Sequence, residues 1–184
     1  MADESFDDFM GMLDGPVFAV TTQADGRPSG CLVRFATQTS EVPPSYMVVV
    51  AAGGDTHEAA AGSGYLAVHA LPQSQVGLAE LFDGEANKFE RCSWRAGPQG
   101  MPILDEAIAW FVGRIAHWIQ IGDHVAYVLE PVATWAPEGS EDLLYLSDLD
   151  DPEPGHEAPR RLFDCAPQDT PARRYGLRFT LDGF

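Results

Sequence analysis

The sequence is poor in basic residues, and lysine is almost absent. Only 11 of the 184 residues are Lys or Arg, against 28 Asp and Glu, which gives a formal net charge of −17. Lys88 is the single lysine, and Asn87 beside it is the single asparagine. Nucleic acids and anionic membranes are bound by clustered cations, so we expect neither as a partner. Any anionic ligand must therefore be held by a few local cations or by backbone amides.

Cysteine, histidine and long apolar segments are also scarce. The three cysteines form no CxxC pair, which argues against a disulfide framework and favours a reducing cytoplasm. The five histidines have no His or Cys partner at metal-ligand spacing, so we predict no metal site. No apolar run approaches the roughly 18 residues that span a bilayer. The acidic first residues are unlike the basic start of a signal peptide.

The apolar alternation and the turn residues predict a mainly β chain. Strands are predicted at 16–22, 29–36, 46–51, 65–71, 107–121 and 124–135, and a helix is the alternative for 107–121. Asp25-Gly26 and Gly122-Asp123 are predicted hairpin turns. Short helices are predicted at 3–13, 57–61 and 75–82, and 83–101 is predicted to be irregular. This order favours a closed or nearly closed antiparallel barrel.

The composition changes after Trp135. Residues 136–184 hold 11 acidic and 5 basic side chains and six of the 14 prolines. We interpret 1–135 as one domain and 136–184 as an acidic, Pro-rich extension that packs on that domain or on a dimer partner. Within the extension, 143–146 and 175–180 are predicted short strands.

Two backbone segments are candidates for ligand contacts. Gly53-Gly54-Asp55-Thr56 follows a predicted strand and opens a predicted helix, where free amides favour an anion. A plain turn with Asp55 or Thr56 as the helix cap is the equal alternative. Thr37-Gln38-Thr39-Ser40 offers hydroxyls and amides to the edge of a heteroaromatic ring. From the residues alone, a polar loop is the favoured interpretation of that segment.

Two side chains are further candidates. Lys88, a lone cation beside Phe89, suits an anion or a cofactor phosphate, although a GC-rich genome also explains a chain that uses arginine. His124 follows the predicted turn at Gly122-Asp123. It is either a half-buried structural residue or a neutral hydrogen-bonding group that projects into a pocket.

In this order along the chain, the segments resemble the flavin reductase-like family, the FMN-binding split barrel. The matching stretches are PVFAVTTQADGRPSGCLVRFATQTSEVPP (16–44), YLAVHAL (65–71), LAELF (78–82), NKF (87–89) and GDHVAYVLEPV (122–132). The resemblance implies an antiparallel Greek-key split barrel over residues 1–135, with a few short helices. It also implies a homodimer that holds a flavin near the subunit interface.

The resemblance assigns roles to particular residues. His124 is implied as the catalytic residue, where the nicotinamide of NAD(P)H approaches. The implied cofactor-binding residues are Arg34, Ala36, Thr37, Gln38, Thr39, Ser40, Gly53, Gly54, Thr56, Lys88 and Phe89. The implied reaction is hydride transfer from NAD(P)H to FMN or FAD, after which the reduced flavin diffuses to a monooxygenase.

One stretch departs from the family pattern. Relatives carry a lysine where this chain has Ala52, and Asp55 here stands beside Thr56. The resemblance offers Arg34 and the Gly53-Gly54 amides as replacements for that cation. The alternative prediction is a split-barrel homologue that no longer reduces flavin, and that binds another ligand or catalyses a non-redox step in a biosynthetic pathway.

Overall fold

The computed structural model describes residues 2–84, 87–139 and 142–149, with side chains from Ser5 onward. The strands in these ranges are β1 (Phe18–Ala24), β2 (Arg27–Val33), β3 (Ala36–Glu41), β4 (Pro44–Ala51), β5 (Tyr65–Ala70), β6 (Trp94–Ala96), β7 (Pro102–Leu104), β8 (Ala109–Ile121) and β9 (His124–Trp135). The α-helices are α1 (Ala2–Gly11), α2 (Asp55–Ser63), α3 (Val76–Gly84) and α4 (Lys88–Arg91).

Seven strands form one antiparallel sheet in the order β2-β1-β5-β8-β9-β4-β3, and β6 pairs separately with β7. Inward side chains from β1, β2, β4, β5 and β9 meet in one buried cluster, which includes Val20, Val33, Val48, Leu66 and Tyr127. Strands from both halves of the sheet share this core, so the sheet curls around it as a barrel. The predicted mainly β, antiparallel barrel with a few short helices is confirmed.

A second buried cluster lies where α3 covers one end of the barrel. Leu78 and Phe82 of α3 pack with Val17 and Leu71, and Leu144 and Leu149 belong to the same cluster. Two isolated bridges, Pro72 with Leu143 and Pro16 with Tyr145, hold the segment 142–149 on the barrel. The strand predicted at 143–146 was wrong, because single bridges take the place of a continuous ladder. The domain boundary at residue 135 remains a prediction. Residues 150–184, with the predicted strand at 175–180, lie outside the described residues.

His69 connects three strands by hydrogen bonds inside the protein. Its imidazole is fully buried on β5, and Nδ1 donates a hydrogen bond to the carbonyl of Ala19 on β1 at 3.0 Å. Nε2 accepts a hydrogen bond from the amide of Leu104 on β7 at 3.2 Å. These two partners fix the neutral tautomer with its proton on Nδ1.

Both predicted hairpin turns are confirmed by backbone conformation. Asp25 and Gly26 have φ values of 51° and 73°, and Gly122 has a φ of 60°. The first turn has positive φ at both central residues and the second at its first central residue, and both geometries join two twisted strands by a tight turn.

Three further local predictions were wrong. Residues 37–40 lie in strand β3 because β4 supplies backbone partners whatever the side chains are. The segment 83–101 contains α4 and β6, which are too short to leave a periodic pattern. The helix predicted at 57–61 begins at Asp55, and Gly54 is its N-cap without a side-chain hydrogen bond.

Two further features of the described residues bear on function. Their helices include none that is long and apolar enough to cross a membrane. Residues 2–84, 87–139 and 142–149 also bring together no group of three His, Cys, Asp or Glu side chains with metal-binding geometry.

Candidate functional site

The first turn of α2 presents backbone amides at one corner of the barrel. Gly54 has extended backbone angles of φ −91° and ψ 150°, and its carbonyl accepts bonds from the amides of His57 and Glu58. In the described part of the chain, the amides of Asp55 and Thr56 have no acceptor. Two unsatisfied donors and the positive end of the helix dipole make this turn suitable for an anion.

Contacts to two strands fix the position of this turn. The Thr56 hydroxyl is buried and lies 3.3 Å from the hydroxyl of Ser29 on β2. On the other side, Nδ1 of His57 lies 2.6 Å from the hydroxyl of Tyr127 on β9. Motifs did not predict Ser29, His57 and Tyr127 as site residues, because only the fold brings their three segments together.

The ammonium of Lys88 lies next to the same turn. Its Nζ donates to the carbonyl of Gly30 on β2 at 3.0 Å and to the carbonyl of Phe82 at 3.2 Å. It also lies 5.4 Å from the centre of the Phe82 ring. Burial lowers the pKa of Lys88, and the nearby Cys31, Asp55 and Asp83 oppose that change. These contacts hold the cation in place before any ligand arrives.

The thiol of Cys31 lies between the hydroxyl cluster and the ammonium. Burial raises the pKa of Cys31, whereas a hydrogen bond with Thr56 and the charge of Lys88 lower it. Burial is the largest of these effects, so the thiol stays protonated at neutral pH. Cys31 is therefore a neutral neighbour in this corner.

Arg34 has a carboxylate partner inside the protein. Its Nη2 lies 3.6 Å from Oδ2 of Asp83, and both side chains are partly buried. Burial raises the pKa of Asp83, while the charges of Arg34 and Lys88 lower it. The guanidinium proposed as a replacement cation is thus already paired. This pairing was not predictable from the sequence, because Asp83 lies at the end of α3, 49 positions further along the chain.

Phe89 packs against other aromatic rings. Its ring centre lies 5.6 Å from that of Phe82 and 5.7 Å from that of Trp94, in edge-to-face arrangements. Trp94 also donates its indole N–H to the carbonyl of Phe89 at 3.1 Å. The structure explains Phe89 by packing, and its contact with a cofactor remains a prediction.

The five residues from Ala36 to Ser40 lie along one edge of the sheet. Ala36 pairs with Val48 of β4 and Ser40 pairs with Ser45, while β4 itself runs on to Ala51 beside the α2 turn. At about 3.3 Å per residue, Ala36 lies about 10 Å and Ser40 about 20 Å along the strand from Ala51. The segment therefore leads away from the anion-binding turn, with Thr37, Gln38 and Thr39 exposed.

His124 lies on β9, which pairs with the edge of β4 that faces away from β3. It is the cross-strand partner of Ala51, and the amide of Ala52 donates to the carbonyl of Asp123 at 2.9 Å. The Asp123 carboxylate lies 2.7 Å from Nδ1 of His124, and the Phe35 ring packs edge-on at 5.8 Å. These contacts fix the imidazole beside the segment that carries the predicted phosphate contacts.

The geometry defines a class of protein: an antiparallel barrel with an anion-binding corner beside an exposed strand edge. Amides, hydroxyls and an ammonium meet at the corner, and the polar edge of β3 extends from it. This arrangement suits a ligand that combines a flat polar ring with a phosphate.

The family model described as "Flavin reductase like domain" matches residues 10–149, and the chain belongs to this family. It is 28% identical over 145 residues to the FMN reductase (NADH) RutF of Stutzerimonas stutzeri, covering 77% of this chain and 83% of that protein. It is 29% identical over 130 residues to the 4-hydroxyphenylacetate 3-monooxygenase reductase component of Escherichia coli, covering 68% and 76%. A flavin reductase domain protein from Arthrobacter sp. FB24 has the same fold, with a TM-score of 0.74 at 24% identity and coverage of 80% and 92%.

Proposed function

We propose that this protein is an NAD(P)H-dependent flavin reductase that transfers hydride to FMN or FAD and supplies reduced flavin to a monooxygenase. The observation that carries the proposal is the corner formed by the α2 turn, Ser29 and Lys88, which continues into the edge of β3. Family membership supports it, and so does the similarity to a protein named as the reductase component of a monooxygenase.

The residues present fit a flavin phosphate and a flavin ring. The unpaired amides of Asp55 and Thr56 and the Thr56 hydroxyl are donors for phosphate oxygens. The exposed side chains of Thr37, Gln38 and Thr39 provide donors and acceptors for the polar edge of the ring. Arg34, Ala36, Ser40, Gly53 and Phe89 remain proposed contacts from the resemblance.

The proposed reaction needs alignment more than acid–base chemistry. A flavin held at this site would supply direct hydride chemistry with reduced nicotinamide, so the protein would have to stack and orient two flat rings. The α2 turn holds the phosphate end, and β3 fixes the in-plane orientation of the ring. His124, held by the Asp123 carboxylate, positions the nicotinamide.

Steady-state oxidation of NADH and NADPH with added FMN, FAD or riboflavin tests this function. We expect flavin-dependent oxidation with at least one nicotinamide. His124→Ala should raise KM for the nicotinamide and leave the dissociation constant of the flavin unchanged. Absence of turnover with every flavin would rule the function out and favour the non-redox alternative.

We also propose that the protein is a homodimer. β5 pairs with β8 only as far as Arg114, and within the described residues the remainder of β8 pairs with β9 alone. That half of β8, which pairs on one side only, carries Trp118, Ile119 and Ile121, each more than half exposed. An apolar sheet edge of this kind is usually covered, and a second copy of the chain is the proposed cover.

Sedimentation equilibrium tests the dimer. The wild type should sediment at twice the chain mass of 20.0 kDa. Trp118→Glu should shift it to the monomer, because a charge at the centre of an apolar contact is strongly unfavourable. Arg114→Gln, which changes the charge by the same amount at an exposed ion pair on the same strand, serves as the control. A monomeric wild type would refute the proposal.

A cytoplasmic location is part of the same proposal. Its support is that Cys31 and Cys92, the cysteines in the described ranges, are free thiols, which a reducing compartment preserves.

A further inference from the structure

The charges around the proposed phosphate position balance one another. Lys88 and Arg34 are the cations of this corner, and Asp83 is the ion-pair partner of Arg34. Asp55 stands in the first turn of α2, directly before the Thr56 hydroxyl that contacts Ser29. Among the described residues of this corner, these two carboxylates lie near these two cations, so their side-chain charges leave no net positive charge for a phosphate.

The position of Asp55 makes it the carboxylate closest in sequence to the phosphate donors. Its own backbone amide is one of the two unpaired donors at the start of α2, and the Thr56 amide is the other. An anion held by these amides would lie beside the Asp55 carboxylate. Two of the three N–H donors of Lys88 are bonded to the carbonyls of Gly30 and Phe82, which leaves one for such an anion.

We infer that Asp55 is a specificity-determining residue that cancels the contribution of the flavin phosphate to binding. The site consequently accepts riboflavin about as well as FMN. This inference rests on the proposed reductase function and concerns the same site. Its physical basis is that a phosphate dianion gains from the amides and the helix dipole, and loses a similar amount to the adjacent carboxylate.

Fluorescence titration of riboflavin and FMN against matched variants tests the inference. Asp55→Asn removes the charge at an exposed position and keeps the size of the side chain. It should tighten FMN binding about tenfold, which corresponds to about 1.4 kcal/mol. Riboflavin has no phosphate, so its dissociation constant should not change. Glu58→Gln removes one acidic charge from the same exposed turn and should alter FMN binding less than about twofold.

The outcomes separate this inference from the proposed function. Tighter binding of FMN alone in Asp55→Asn supports the inference. An equal change for riboflavin and FMN, an equal effect of Glu58→Gln, or no effect of Asp55→Asn overturns it. If the wild type still reduces riboflavin with NADH or NADPH in those cases, the reductase function stands. If the wild type neither binds nor reduces any flavin, both are refuted.

Discussion

The buried imidazole of His69 makes the stability of the fold depend on pH. Burial lowers the pKa of His69 from 6.5 to about 4, and the charge of Arg95 adds to this. The hydrogen bond to the Ala19 carbonyl opposes the change but does not cancel it. Protonation would also convert Nε2 into a donor that faces the amide of Leu104.

The sign and size of the effect follow from proton linkage. Below pH 6.5 the unfolded chain protonates His69, whereas the folded chain stays neutral down to about pH 4. The free energy of unfolding therefore falls as pH drops through this window and is insensitive to His69 below it. The loss is about 1.4 kcal/mol per pH unit and about 3 kcal/mol over the whole window.

Urea unfolding followed by tryptophan fluorescence at pH 7 and pH 5 measures this effect. The control is His69→Asn, which keeps a donor for the Ala19 carbonyl and cannot titrate. It leaves the Leu104 amide without an acceptor, which should lower the free energy of unfolding by about 1–3 kcal/mol. Other titrating groups affect both proteins alike, so their difference isolates His69. The wild type should have a larger free energy of unfolding than His69→Asn, and this advantage should shrink by about 2 kcal/mol between pH 7 and pH 5. An advantage of equal size at both values would refute the depressed pKa.

Three substitutions give further predictions. Gly30→Ala should destabilise the fold by about 1–3 kcal/mol in thermal unfolding, because its Cβ would lie 2.8 Å from the Phe82 ring; an unchanged Tm would contradict that close packing. Thr56→Val should weaken FMN binding by about 1 kcal/mol without affecting riboflavin, measured by titration. Equal weakening of both flavins would place the hydroxyl away from the phosphate. Arg114→Ala should cost less than about 1 kcal/mol in urea unfolding, because its ion pair with Glu130 is exposed. A larger loss would mean that this pair is shielded from solvent.

Strands and turns were predictable where local signals were strong. Alternating apolar residues predicted β8 and β9, and the Gly122 turn between them has the positive φ that glycine adopts without strain. Strand β3 was not predictable, because its side chains are polar and its strand conformation comes from backbone pairing with β4. The short strand β6 was not predicted for a related reason, since its pairing with β7 and not a periodic pattern defines it.

The candidate site was predictable only one chain segment at a time. The α2 turn and Lys88 were recognisable because a glycine pair before a helix and a lone cation each have local chemical meaning. Their neighbours were not recognisable, since Ser29 lies on β2 and Asp83 at the end of α3, and only the folded chain brings them to the corner. Arg34 shows the consequence: its charge was visible in the sequence, whereas its carboxylate partner was not.

The scarcity of lysine makes the proposed site chemically addressable. Lys88 carries the only side-chain amine of the chain, so an amine-acylating reagent has one such target and adds one mass increment there. Its ammonium is half-buried and lies beside the α2 turn, where a bound ligand would cover it. The rate of that single acylation therefore reports occupancy of the site, even for a ligand without colour or fluorescence.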